Sequence, residues 1–295
     1  MILTLMLLAG LGLCFGSFVN ALVWRVRQQA ISPPSLRLRW TGNKQKAINS
    51  KDLPITHFQF SILSGRSQCV NCHHLLVSKD LVPVLSWLFL RGRCRYCQKP
   101  ISVQYPLVEI AGATVFVASY YFWPLHIAAG QWVLLVSWLA TSVGLLALAV
   151  YDLRWMILPS RILYPTLALA LGGRLAYILF FAQDKARSFW LLGLSVLVAS
   201  GIFWVLFMIS SGRWIGYGDI RLGLITGSVL ASPAKSFLMI FLASVLGTLF
   251  VIPRLITKRQ SFSSKLPYGP WLILSTALTL LFGEPIIDWY TQLLI

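Results

Sequence analysis

A chain of 295 residues that is 57% hydrophobic and only 11% charged, with a mean hydropathy of +0.75, is not an ordinary soluble domain, in which roughly a quarter of residues carry charge. Its formal net charge of +17 comes from 25 Lys and Arg against 8 Asp and Glu. No aromatic–basic module for nucleic acid is visible, so nucleic acid is excluded as a partner, and the excess is assigned to cytoplasmic loops that meet anionic membrane lipids.

In chain order, residues 1–24 (MILTLMLLAGLGLCFGSFVNALVW) are apolar from Met1. They lack the positive start and small-residue cleavage site of a secretory signal, and read as a first transmembrane helix with its N-terminus outside. Cys14, inside this run, reads as a core residue. Residues 25–104 hold 13 of the 25 Lys and Arg, against only Asp52 and Asp80. That asymmetry places them in the cytoplasm. Within them PPSLRLRW (33–40) reads as a loop or a lipid-headgroup contact. LVPVLSWLFL (81–90) is too short to span a bilayer, which takes about 20 residues, and reads as a buried or interfacial element.

The same stretch contains CVNC (69–72) and CRYC (94–97). Two thiolates two residues apart fit one side of a metal, and two such knuckles complete the tetrahedron that Zn²⁺ prefers. A reducing cytoplasm disfavours the alternative of disulfides. Cys69, Cys72, Cys94 and Cys97 are therefore expected to hold a structural zinc. A closed four-sulfur site leaves no position for substrate. His73 and His74 adjoin one knuckle, either as substitute ligands or as solvated neighbours.

Beyond residue 104 apolar runs alternate with short connections. Helices are expected near 105–123, 131–150, 162–182, 189–211, 220–232, 235–252 and 270–292. With the first helix they make about eight transmembrane segments. The expected fold class is an all-α polytopic membrane protein with a small cytoplasmic zinc-binding insertion. Its parts are the first helix at 1–24, a cytoplasmic zinc-binding domain at 25–104 and a membrane-embedded domain at 105–295. The segment 220–232 is too short to cross alone, and is expected to tilt, to thin the bilayer or to line a wet cavity.

Two acidic residues stand at the cytoplasmic ends of apolar runs: Asp152 in LALAVYDLRWMILPSR and Asp219 in GRWIGYGDIRLGL. Carboxylates at one membrane depth can form a dyad. At a few ångströms both do not ionise cheaply, so they share a proton, and the pair can then activate water against a peptide carbonyl. Taken singly, each also reads as a helix cap or a loop residue. Glu109, early in the second helix, reads either as a polar contact to the region of the dyad or, in a structural role, as a cap-adjacent surface group. Arg174, mid-helix beside Gly172 and Gly173, reads either as a functional group or as a snorkelling side chain at a close helix contact.

Five blocks, in order, resemble the prepilin peptidases, membrane aspartyl proteases of the G-x-G-D type: GSFVNALVWRV (16–26), the cysteine module with its exit (65–110), YDLRWMILPSR (151–161), GYGDIRL (216–222) and LPYGPWL (266–272). The resemblance implies that Asp152 and Asp219 are the catalytic pair and that the four cysteines bind zinc. It implies cleavage of type IV prepilin or pseudopilin leaders at the cytoplasmic face of the bacterial inner membrane. It also implies methylation of the new N-terminus with S-adenosylmethionine. The opening block lacks the proline often found after its Arg, which touches methylation more than proteolysis. Two other readings are a peptidase-only intramembrane aspartyl protease and a non-enzymatic membrane scaffold built on the zinc module.

Overall fold

A computed structural model of the chain describes residues 1–31, 67–124, 129–256 and 267–293. The stretch 33–40, and the basic residues Lys258, Arg259 and Lys265, lie outside the described residues. The described chain is almost wholly helical: α1 (Ile2–Ile31), α2 (Leu85–Phe89), α3 (Gln104–Tyr121), α4 (Ala129–Trp155), α5 (Ser160–Phe180), α6 (Lys185–Ser210), α7 (Tyr217–Leu230), α8 (Pro233–Ile256) and α9 (Gly269–Gln292). Six of these, α1, α4, α5, α6, α8 and α9, are long and apolar enough to cross a membrane. The chain is thus a multi-pass membrane protein. Eight helices, all but α2, fall on the eight expected segments, but among the described residues six and not eight are long and apolar enough to cross, and two run further than their apolar stretch. α1 continues to Ile31 and carries Arg25, which is 7% exposed, into the core. α4 continues to Trp155, so Asp152 lies within its last turn instead of beyond it. No Gly or Pro interrupts either continuation, so the helix ignores the change in polarity.

Small residues set which helices pair, as expected where apolar burial alone gives no preference between helix and lipid. On α1, a Cβ at Gly16 would stand 2.5 Å from the Cα of Glu109 on α3. On α7, a Cβ at Gly223 would stand 2.5 Å from the Ala199 carbonyl of α6, and one at Gly227 would stand 2.7 Å from the Cα of Val196. The seam between α6 and α7 is also hydrogen-bonded: Ser195 donates to the Gly227 carbonyl and Ser200 to that of Ile220.

α7 is the centre of the bundle. It touches α5, α6, α8 and α9, and nine of its 14 residues are buried. At 1.5 Å per residue it rises only about 21 Å. The short segment is therefore enclosed by protein and turns at Ala231 into α8. α4 packs against α1, α3, α5 and α9. α9 thus touches both α4 and α7.

Residues 81–90 form a turn and α2, with Leu88 and Phe89 exposed, so they sit at a surface and not in a core. Cys14 is exposed on α1, which corrects the core assignment: at its position the helix turns outward from α3.

Candidate active site

Asp152 and Asp219 lie close enough for their charges to interact. Asp152, 6% exposed, sits in the last turn of α4. The chain leaves that helix through Met156, at a φ of 53°, and reaches Leu158 and Pro159 before α5 begins. Asp219 is the third residue of α7, after the N-cap Gly216. Its carboxylate accepts the Gly216 N–H, while its own N–H donates to the Gly216 carbonyl at 3.1 Å. This is the acidic half of a capping box. The capping and dyad readings of Asp219 are therefore compatible: the cap holds the carboxylate at the helix start.

The two motifs interlock. The side chain of Leu158 would lie 3.0 Å from a Cβ at Gly218, so the glycine lets the turn after α4 pack on the start of α7. Neither Gly216 nor Gly218 has a positive φ. Gly218 is needed for space rather than for backbone freedom. Arg221 donates to Ser160 Oγ at 3.1 Å, and its guanidinium stacks 4.3 Å from the Tyr217 ring, tying α7 to α5.

A third segment completes the site. Gly269, the first residue of α9, donates its N–H to the Asp152 carboxylate. A Cβ there would stand 2.7 Å from Asp152 Oδ2. Tyr268 lies within electrostatic reach of Asp219, its hydroxyl is 3.4 Å from that of Ser244, and its ring packs edge-on against Phe203. Sequence reasoning assigned neither residue a role. The signal was PYGP: a glycine between an aromatic and a proline, where a backbone amide has to approach something closely.

The cysteine knuckles form a second site, outside the bundle. The sulfurs of Cys69, Cys72, Cys94 and Cys97 all lie within 4.8 Å of one another, with Cys69 Sγ and Cys97 Sγ 3.9 Å apart. Ligands at 2.3 Å in a tetrahedron would be about 3.8 Å apart, so the donor set fits zinc. The two knuckles repeat one geometry. The N–H of His73 returns to the Cys69 carbonyl and that of Gln98 to the Cys94 carbonyl, with φ of 57° and 55° at His73 and Gln98. His74 stacks on Tyr96 at 3.7 Å, and neither histidine joins the sulfur cluster. Asp80 binds the second knuckle through Arg95 Nε at 2.7 Å and the Tyr96 hydroxyl at 3.2 Å. Burial pushes the Asp80 carboxyl up, but the Arg95 guanidinium outweighs it and holds the group below the usual carboxylate range.

Glu109 joins this module to the bundle. It accepts the Val84 N–H at 2.7 Å and the Ser17 hydroxyl. Asn20 donates to the Tyr105 carbonyl at 3.1 Å. The GSFVN block is thus a docking seam between α1, α3 and the module. A cavity of about 440 Å³ opens beside it, lined among others by Trp24, Asn20, Trp87, Tyr105, Glu109 and Arg154. Arg174 caps α7 at its far end, donating from Nη2 to the Val229 carbonyl at 2.5 Å.

The family model described as "Type IV leader peptidase family" matches residues 139–252, and "Bacterial Peptidase A24 N-terminal domain" matches residues 11–123. A protein from Aeromonas hydrophila called prepilin leader peptidase/N-methyltransferase is 32% identical over 280 residues, 94% of this chain and 90% of its own length. A protein of the same name from Pseudomonas putida is 31% identical over 286 residues, covering 96% of this chain and 92% of its own. No solved structure matches the chain.

Proposed function

From the premise that this chain belongs to the type IV leader peptidase family, we propose that Asp152 and Asp219 are the catalytic pair of a membrane aspartyl endopeptidase acting on prepilin or pseudopilin leaders. The observation that carries this reading is the convergence of three sequence motifs on one point. α4 brings Asp152, the start of α7 brings Asp219, and α9 brings an amide to Asp152. In the reaction the ionised carboxylate takes a proton from water. The resulting oxygen attacks the peptide carbonyl, while the protonated partner donates a hydrogen bond to the carbonyl oxygen. Collapse breaks the C–N bond, the amine leaves with a proton, and the dyad returns to its starting charge. No covalent intermediate with the protein is needed.

The surroundings fit a substrate held by the bilayer. Arg154, Arg161 and Arg221 stand around the ends of the helices that carry the dyad. The net charge of +17 gives a basic leader no long-range attraction. Positioning then comes from the substrate's apolar helix lying in the membrane beside the enzyme, which we place in the bacterial inner membrane with the dyad at the cytoplasmic face.

The relatives' name includes N-methyltransferase, and we assign N-methylation of the new terminus to this chain as well. S-adenosylmethionine supplies the methyl group in such chemistry. The cavity of about 440 Å³ beside the zinc module has the size of small-molecule sites. It offers aromatic walls in Trp24, Trp87 and Tyr105, with polar groups from Asn20 and Glu109. Arg154, two residues after Asp152 in the chain, lines the same cavity, which supports a methylation site near the end of α4. We further propose the division into a first helix, a cytoplasmic zinc module whose four cysteines hold a structural Zn²⁺, and a membrane-embedded peptidase domain.

The test is cleavage of a prepilin in lipid by wild type, Asp152→Asn and Asp219→Asn, read by mass spectrometry. Wild type is expected to cut before the apolar helix, and both variants to lose at least about 10³-fold in rate, since a dyad acts as a unit. A 14 Da gain on adding S-adenosylmethionine reports methylation. Variants that cut as well as wild type would reduce both aspartates to caps.

A further inference from the structure

The register of α1 against α3 gives a membrane depth to the short apolar segment 81–90. The two helices run antiparallel. A Cβ at Gly12 would stand 2.6 Å from the Cα of Ala113, one at Gly16 would stand 2.5 Å from that of Glu109, and Asn20 bonds the Tyr105 carbonyl. The Ser17 hydroxyl donates to the Glu109 carboxylate, which also accepts the Val84 N–H at 2.7 Å. Val84 therefore lies close to the level of Ser17, seven residues before Trp24, where the apolar run 1–24 ends. Seven residues of helix rise about 10 Å. The whole run rises about 36 Å, against a hydrocarbon layer of about 30 Å. Even if all the spare length lies at the Trp24 end, Val84 is still about 4 Å inside the hydrocarbon.

Both ends of the segment are held at a shallower level. Before it, Asp80 is tied to the second knuckle through Arg95 and Tyr96. After it, Trp87 Nε1 donates to the Ile101 carbonyl, and the Ile101 N–H donates to the Gly92 carbonyl. By the same register Ile101 is level with Trp24. The chain thus dips to Val84 and returns through α2. The tip is a sharp turn, with Val84 at a φ of 60°. Pro83 has no N–H to satisfy. The N–H groups of Val84, Leu85 and Ser86 go to Glu109, to the Pro83 carbonyl and to the Val82 carbonyl. Irregular backbone at membrane depth has to satisfy its donors within the protein in this way. The side chains of Leu85, Leu88 and Phe89 are exposed, Phe89 to 84%. Of the flanking charges, Lys79, Arg91 and Arg93 are exposed, while Asp80 is paired with Arg95. The open charge beside this apolar face is therefore basic, which matches anionic headgroups.

We propose that residues 81–90 form a re-entrant loop seated in the cytoplasmic leaflet, with Leu85, Leu88 and Phe89 against lipid acyl chains and Lys79, Arg91 and Arg93 at the headgroups. The cysteine module is then anchored to the bilayer and does not hang free in the cytoplasm. The cavity of about 440 Å³ shares this seat, since Val82, Val84 and Trp87 line it. This placement rests on the membrane orientation proposed above and not on the dyad, so a failed cleavage assay would leave it standing.

The test uses the full-length protein in lipid nanodiscs that contain phosphatidylcholine with a diazirine on its acyl chain. After irradiation, adducts are mapped by peptide mass spectrometry. Leu169, exposed in the middle of α5, reports acyl contact, and Val70, equally exposed on the first knuckle, reports its absence. Residues 85–89 are expected to label like Leu169 and at roughly ten times the yield of Val70 or more, since an element seated about 5–10 Å into the boundary meets acyl carbon. Labelling no higher than that of Val70 overturns the proposal. The experiment is repeated with a saturating prepilin. Unchanged adducts on 85–89 support a lipid seat. Adducts that vanish there, with crosslinks between α2 and the prepilin in their place, assign the face to the substrate's apolar helix and overturn it.

Discussion

A methyl group on Gly269 would stand 2.7 Å from Asp152 Oδ2 and 3.6 Å from Leu222 Cδ2. Leu222 is fully buried, so the added carbon cannot be relieved on that side and has to displace the carboxylate. Gly269→Ala is therefore expected to lower kcat by roughly 10²-fold, the cost of moving a reacting group by about an ångström. Its thermal midpoint should stay close to wild type, and the pair of measurements distinguishes misplacement from unfolding. Arg221 tests a weaker link. Arg221→Met removes the bond to Ser160 and the stacking on Tyr217, and a loss of a few-fold in cleavage is expected, since an exposed contact contributes about 1 kcal/mol or less. Both aspartates were legible in the sequence, because acidic residues are rare in this chain and each ends an apolar run. Their convergence was not, because no local pattern encodes which helices pack together. The contribution of Gly269 was hidden for another reason: it acts through a backbone amide, which no side chain advertises.

Element boundaries show the limits of hydropathy in the same chain. The eight apolar segments were readable, yet α1 and α4 extend past them because a helix propagates through charged residues that find a place in the core, as Arg25 does. The central place of α7 could not be read from periodicity, since its buried residues occupy every face. What marks it is the spacing of Gly223 and Gly227, one turn apart on the side against α6, where added carbons would meet backbone at 2.5 and 2.7 Å. Backbone does not rotate aside as a side chain can. Gly227→Val is expected to push α7 from α6 and to destabilise the fold by about 1–3 kcal/mol, the usual cost of overpacking, seen as a lower midpoint in a detergent melt. Because α7 carries Asp219, cleavage should fall with it even below the melting range. A variant with full stability and full activity would show that the seam between α6 and α7 is slack.

On the scale of the whole molecule, the four-cysteine module and the aspartate pair are held by different contacts. The module is closed by its four sulfurs, by Asp80 with Arg95, and by Trp87 Nε1 donating to the Ile101 carbonyl at 3.2 Å. It meets the bundle through Glu109 and Val84. The dyad takes its contacts from α4, α7 and α9, and none of the hydrogen bonds found at either carboxylate comes from the module. A strong chelator is therefore expected to unfold residues 67–103, seen as lost hydrogen-exchange protection there, while α4 to α9 stay protected. Structural zinc in a small module supplies much of its folding energy, so the loss should be cooperative and not graded along the segment. The cavity beside the module loses its Trp87 wall in that state, so methylation should disappear. Cleavage should persist within about ten-fold, a difference of roughly 1.4 kcal/mol in barrier. The substitution Glu109→Gln separates the module's fold from its docking: zinc stays bound, the link to Val84 weakens, and methylation should fall more than cleavage. Equal loss of both activities on chelation would mean that the module also shapes the peptidase site, through the region around Arg154 that borders the cavity and follows Asp152 in the chain.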